Sequence, residues 1–352
     1  MLVGPRLEEA QGVRPEAAVG AQAPRRVREA LYGAFYGLRE RPFELTADPR
    51  FLFLTPRQRE ALANLRYGLT TPRGLTLLLG EAGTGKTTLL RSVVSEMQDV
   101  NSRQLLLSHP TLSRPEFFEF LARGLGLSDA AVASKALFVA ELQRKLEHRL
   151  SAGGLTNLII DEAQSLPRDL LEEVRLLSNI ETPTAKLLNI VLVGQPELAD
   201  RLNEPDFRQL KQRISLRCNL TALSSDETAA YVAGRLRIAG GSPADVFTGD
   251  SVDAIHEASS GIPRTINVVC DNVLLGGFAA ELKPIPVRVV EEVCRDFDLP
   301  FRGARGGRPQ TGPVTASPAA SPQRAEAGDS APGNGTRDLF GTIGRRRRFF
   351  FF

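Results

Sequence analysis

Residues 80–87 read Gly80-Glu81-Ala82-Gly83-Thr84-Gly85-Lys86-Thr87; the apolar run Thr76-Leu77-Leu78-Leu79 leads into them and Thr88-Leu89-Leu90-Arg91 follows. The order is strand, glycine-rich turn, helix. Glycines let successive backbone N–H groups curl toward one point, and the helix that follows presents the positive end of its dipole there. Such a turn is built to hold phosphate. Gly80, Glu81, Ala82, Gly83, Thr84, Gly85, Lys86, Thr87 and Thr88 are therefore the expected cradle of a nucleoside triphosphate. Lys86 would reach the β- and γ-phosphates, and the Thr87 hydroxyl would ligate Mg²⁺.

Downstream, Leu158-Ile159-Ile160-Asp161-Glu162 supplies an acidic strand end. An Asp leaving a buried apolar strand near a phosphate loop can hold the Mg²⁺ shell, so Asp161 is the second candidate metal ligand. A Glu directly after it, Glu162, can orient and deprotonate an attacking water, which points to a hydrolase rather than a kinase. The strand QLLLSH (104–109) falls between these two motifs in the chain, and right-handed crossovers keep it in the same sheet. That arrangement predicts the glutamate strand beside the phosphate-loop strand.

Outward from this pair, strands and helices alternate. Strands are expected at 76–80, 104–109, 155–163, 187–195 and 214–220, with helices over 56–69, 87–97, 134–150 and 168–179 between them. Ser113 with Glu116 makes a capping box for a further helix. Near-continuous apolar strands alternating with helices predict a parallel sheet covered on both faces, an α/β fold. After Leu220 the strand signal stops. Ser224 and Glu227 open another helix, ended by Gly240-Gly241, and helices near 250–260, 263–281 and 287–298 follow. The expected organisation is a disordered leader over 1–30, an α/β domain over 31–221, a small all-helical lid over 222–299 and a disordered basic tail over 300–352.

Composition narrows the partners. The 352 residues are 42% hydrophobic and 24% charged, as for an ordinary globular chain, and no apolar stretch reaches the roughly 20 residues of a membrane-spanning helix. The first thirty residues lack an apolar core, so a secretory signal is not expected. The formal charge is +3, but residues 301–352 hold nine arginines against three acids. The preceding 300 residues therefore sum to −3, and the basic character belongs to the tail rather than to a nucleic-acid-binding body. Cys218, Cys270 and Cys294 stand far apart without CxxC or Cys/His pairing, which excludes a disulfide framework and a zinc module and suits a reducing cytosol.

The sequence resembles an AAA+ ATPase, and within that superfamily the ExeA-like (general secretion pathway protein A) family. The resemblance covers about residues 32–298. It is carried in order by FYGLRERPFELTADPRFLFLTPRQREALANLRYGL, GEAGTGKTTLLR, LIIDEAQSLP, NIVLVGQPELADRL, LKQRISLRCNL and GIPRTINVVCDNVLL. It implies a P-loop NTPase fold with ATP and Mg²⁺ as cofactors. Gln195 would be sensor 1, a polar side chain facing the γ-phosphate. Arg213 would be an arginine finger supplied to a neighbouring subunit, with Arg208 and Arg217 as rivals, and Arg264 would be sensor 2 on the lid. Arg41, Pro42 and Phe43 would wrap the adenine, and His109 stands where the family usually has asparagine.

The resemblance further implies a homo-oligomeric ring, such as a hexamer. Its context would be a secretion or exopolysaccharide-export machinery, with the chain cytoplasmic or peripheral at the inner membrane. Longer family members continue into a membrane span and a peptidoglycan-binding domain, where this chain has a polar tail. That difference argues against a direct part in opening the cell wall. The terminal Arg345–Phe352 run, RRRRFFFF, could touch an anionic membrane surface or have no role of its own. Two other readings stay open: an ATP-dependent DNA-binding transposition regulator of the same superfamily, and a non-hydrolysing nucleotide-gated adaptor.

Overall fold

The five strands that the apolar runs predict are all formed, with ends displaced by a few residues. They are β1 (Leu75–Gly80), β2 (Ser102–Leu107), β3 (Leu155–Ile160), β4 (Asn189–Gly194) and β5 (Ile214–Leu220), seen in a computed structural model that describes residues 32–46, 48–97, 101–108 and 110–300. His109, the leader and the tail with its RRRRFFFF end lie outside the described residues. The principal helices are α1 (Pro56–Thr70), α2 (Lys86–Glu96), α3 (Arg114–Leu125), α4 (Lys135–Ser151), α5 (Arg168–Leu177), α6 (Pro196–Leu202), α7 (Ser225–Ile238), α8 (Gly249–Ser259), α9 (Pro263–Ala279) and α10 (Val287–Asp296).

Helix starts follow local chemistry. Ser224 Oγ accepts from Glu227 N at 3.2 Å while Glu227 Oε2 accepts from Ser224 N at 2.9 Å, so the expected capping box opens α7. The Glu116 carboxylate likewise accepts from Ser113 N at 2.7 Å ahead of α3. A third box, between Thr55 and Gln58, opens α1 ahead of Pro56. Each box satisfies backbone donors that the helix start leaves unpaired, worth about 1 kcal/mol.

The sheet is wholly parallel, in the order β2-β3-β4-β1-β5. This corrects one expectation: β3, which leads into Asp161 and Glu162, does not lie beside β1. β4 separates them, and β2 is an edge strand. The reason is burial. Ile190, Val191, Leu192 and Val193 are fully buried, so β4 fits a position covered on both faces. β2 carries exposed Arg103 and half-buried Gln104, side chains that only an edge tolerates.

Alternating side chains of β1, β3 and β4 feed two cores. Leu75, Leu77 and Leu79 join α3, α4 and α5 on one face, where α4 buries Phe138, Leu142 and Leu146 at four-residue spacing. Leu78, Ile159, Val191 and Val193 meet Leu65, Leu69, Leu90 and Val93 of α1 and α2 on the other. Each of these side chains contributes about 1.5–3 kcal/mol by leaving water.

A third core holds α7 to α10 together. It also takes in Tyr32, Tyr36, Leu38 and Phe43 from the start of the described chain. Gly261, before α9, has φ +72, and a Cβ there would lie 2.0 Å from the Leu223 carbonyl oxygen. Gly261→Ala is expected to cost about 2–4 kcal/mol through backbone strain and overlap, seen as a lowered Tm in a thermal melt.

Candidate functional site

The turn between β1 and α2 has the shape the glycines allow. Gly83 and Gly85 adopt φ +81 and +96, left-handed values that side chains resist. Gly85 caps α2 and directs the helix start into the turn. Lys86, the first helical residue, is buried, and its Nζ donates to the carbonyls of Gly80 at 2.8 Å and Glu81 at 3.0 Å. Burial lowers its pKa, while the nearby Glu162 and Asp161 carboxylates act in the opposite sense.

The acidic strand end is brought to the same place. Thr87 Oγ1 donates to Asp161 Oδ2 at 2.9 Å. A hydroxyl and a carboxylate converging beside a phosphate loop are the hard oxygen donors that Mg²⁺ prefers. Among the described residues no group of three or more His, Cys, Asp or Glu forms an all-protein metal cage. The Thr87 hydroxyl and the Asp161 carboxylate fit an Mg²⁺ held by few protein oxygens.

Glu162 has φ +52, a left-handed conformation uncommon for a residue with a side chain. Its N–H donates to Asp161 Oδ1 at 3.0 Å, and its Oε2 accepts from Gln195 Nε2 at 3.4 Å. Because Leu79 pairs with Gly194, Gln195 leaves β4 level with the phosphate loop. Sequence reasoning passed over Gln164, whose Nε2 donates to the same Glu162 oxygen at 2.6 Å and whose Oε1 accepts from Gln195 N at 3.1 Å. The available signal was an amide two residues after the glutamate in LIIDEAQSLP.

Arg264 reaches the loop from the helical part. At the start of α9, its N–H donates to the Gly83 carbonyl at 3.2 Å. A Cβ on Gly83 would come within 2.8 Å of Arg264 Cβ, so that glycine also permits the close approach. Lys86, Thr87, Glu162 and Arg264 line one cavity of about 580 Å³, a size suited to a nucleotide.

The far end of that cavity departs from expectation. Phe43 is buried in the helical core against Phe247, with ring centroids 6.4 Å apart, and neither it nor Arg41 nor Pro42 lines the cavity. The lining comes instead from Glu44, Asp48, Phe51 and Phe53 together with Tyr231 and Arg235. Pro42 acts indirectly: its carbonyl accepts from Arg235 Nη1 at 2.7 Å, while the Arg235 guanidinium lies 5.1 Å from the ring centroids of both Phe51 and Tyr231.

Arg213 is not brought into this cavity. It precedes β5, where Ile214 pairs with Leu75, whereas the phosphate loop begins at Gly80, paired with Leu220. The two positions are separated by the length of the strand, roughly 17 Å. Arg213 is half-buried and acts electrostatically on Glu181, while Arg208 and Arg217 are exposed.

A family model described as an AAA domain matches residues 69–202. General secretion pathway protein A of Aeromonas hydrophila is 39% identical over 249 residues, which is 71% of this chain and 45% of that protein. The chain thus spans less than half the length of this curated relative. Among solved structures, a Drosophila ORC assembly bound to DNA matches with TM-score 0.57 and 19% identity, covering 83% of this chain and 71% of the other. The Aeropyrum pernix ORC2 protein, solved as ADPNP–ADP complexes, matches with TM-score 0.53 and 19% identity, covering 73% and 71%. At such identities the structural matches speak for the fold alone. The P-loop, the parallel sheet with its helical C-terminal part and the long sequence match agree: the chain belongs to the AAA+ family, with an ATPase domain like that of general secretion pathway protein A.

Proposed function

We propose that this chain hydrolyses ATP with Mg²⁺ and uses the cycle to drive or regulate a secretion or exopolysaccharide-export machinery. The observation that carries the hydrolytic reading is the placing of Glu162, with Gln195 on its carboxylate, in the cavity that also holds Lys86 and Arg264. Lys86 and the loop amides bind the β- and γ-phosphates. Thr87 and Asp161 would hold the ion, which would supply charge neutralisation for the phosphates. Glu162 orients a water and accepts its proton, and Gln195 positions the two relative to the γ-phosphate. Arg264 joins the 222–299 lid to that phosphate. Its replacement by alanine is expected to lower turnover about 10- to 100-fold through loss of a charge-assisted contact, measured as phosphate release at saturating nucleotide.

Arg213, at the end of the sheet remote from its own loop, suits a role in the site of a neighbouring copy. Activity then depends on assembly. Phosphate release per chain should rise with protein concentration, and release in proportion to concentration down to dilution would speak for a self-sufficient monomer. Arg213→Ala and Glu162→Gln should each be inactive alone yet regain turnover when mixed, because a mixed interface joins an intact Glu162 to an intact Arg213. No recovery on mixing would remove the role in trans.

The secretion context draws on the 39% identical relative, and the cytoplasmic or peripheral inner-membrane location goes with it. No helix among the described residues is long and apolar enough to cross a membrane. The net −3 of residues 1–300 does not favour duplex DNA as the partner.

A further inference from the structure

The main-chain ladder between β3 and β4 ends at the pair Ile160 and Leu192. Beyond it the two strand ends diverge, one toward Glu162 and the other toward Gln195. Two side chains span the gap: Gln195 reaches Glu162 Oε2 through its own Nε2 at 3.4 Å, and Gln164 bonds to both strand ends. Gln164 donates through Nε2 to Glu162 Oε2 at 2.6 Å and accepts through Oε1 from the Gln195 backbone N–H at 3.1 Å. Its own carbonyl accepts from Arg201 Nη1 of α6 at 2.5 Å, which anchors it to the helix that Gln195 caps.

An amide suits this place because it carries a donor and an acceptor on one rigid plane. A carboxylate would repel Glu162, and an apolar side chain would leave the Gln195 N–H unpaired and Glu162 Oε2 with only the longer 3.4 Å bond from Gln195 Nε2. Among the described residues Glu162 Oε1 has no protein hydrogen-bond partner, so one carboxylate oxygen is fixed and the other is free to face water. Lys86 interacts electrostatically with both Glu162 and Asp161, and the Arg201 guanidinium stands on Gln164 itself.

We propose that Gln164 is the positioning residue for the hydrolytic glutamate. Acting as an extra rung past the end of the ladder, it locks Glu162 and Gln195 into one unit, so that water and γ-phosphate are approached in a fixed geometry. The inference rests on the reading of Glu162 as the base. Gln164 touches neither nucleotide nor water in this role, so its loss acts on turnover and not on binding.

The test is Gln164→Met, of similar length without hydrogen-bonding groups, alongside Gln164→Glu, which keeps an acceptor for Gln195 but cannot donate to Glu162 as a carboxylate. Both variants should stay folded, with Tm lowered by no more than about 2–8 °C, and bind ATP with Kd within twofold, while kcat falls about 10- to 100-fold, the cost of a misplaced reacting group. Neither substitution should lower the residual rate of a Glu162→Gln background, since residues that act as a unit are not additive. Residue-resolved hydrogen exchange supplies a readout apart from turnover: the Gln195 amide should exchange faster in the methionine variant and keep its protection in the glutamate variant.

The proposal is overturned by wild-type kcat in both variants, by an equal loss in the Glu162→Gln background, or by a parallel loss of nucleotide affinity or fold. If Glu162→Gln alone turns over like the wild type, the base assignment itself has failed, an outcome distinct from a silent Gln164.

Discussion

Lys86→Ala is expected to raise the nucleotide Kd by about a hundredfold or more, because two charge-assisted contacts to phosphate oxygens disappear together at about 1.5–3 kcal/mol each. Calorimetric titration with Mg-ATP reads this directly. The loss should not come from unfolding. Among the described residues the Lys86 ammonium bonds only to the carbonyls of Gly80, at the end of β1, and Glu81, on the loop. Removing it frees those carbonyls to water and relieves the burial that holds its pKa down, so Tm should stay close to wild type. A variant that binds nucleotide normally would mean that the loop amides alone hold the triphosphate.

Glu162→Gln separates binding from chemistry. The amide keeps the size of the carboxylate but cannot take a proton from water, so turnover should fall by about 10²–10⁴ while affinity for Mg-ATP is preserved. The variant should accumulate bound triphosphate, measurable by separating nucleotides released from denatured protein after a fixed incubation. Retained turnover would pass the base to another group, and Asp161 is poorly placed to take it. Its Oδ2 accepts from Thr87 and its Oδ1 from the Glu162 N–H, so both of its oxygens are already engaged.

The parts of this site that were legible in the sequence are those whose chemistry is local. The Gly80–Thr87 run specifies its own turn, since positive φ at Gly83 and Gly85 and a helix beginning at Lys86 follow from adjacent residues. The capping boxes at Ser113 and Ser224 are local in the same way. Strand existence was readable from apolar runs, but strand order was not. β4 takes its place beside β1 because its residues are buried on both faces, a matter of the whole sheet rather than of chain order.

The residues that were missed meet only in three dimensions. Gln164 gains its role from Gln195, 31 positions away, and Arg235 gains its role from Pro42, 193 positions away. The segment expected to wrap the base does not line the cavity: Phe43 is claimed by the helical core, and Glu44, Asp48, Phe51 and Phe53 line it instead. A hydrophobic side chain beside a binding segment carries no local mark of which side it faces. Arg213 shows the converse: its motif could be named in sequence, but only the register of β5 against β1 places it away from its own loop.

Steady-state release of phosphate from Mg-ATP by the full chain, wild type against Glu162→Gln, at protein concentrations that span assembly, tests the central claim most directly. The account predicts turnover that rises per chain with concentration and collapses in the variant while both proteins bind ATP alike. Equal rates in the two proteins, or no turnover by the wild type at any concentration, would contradict it.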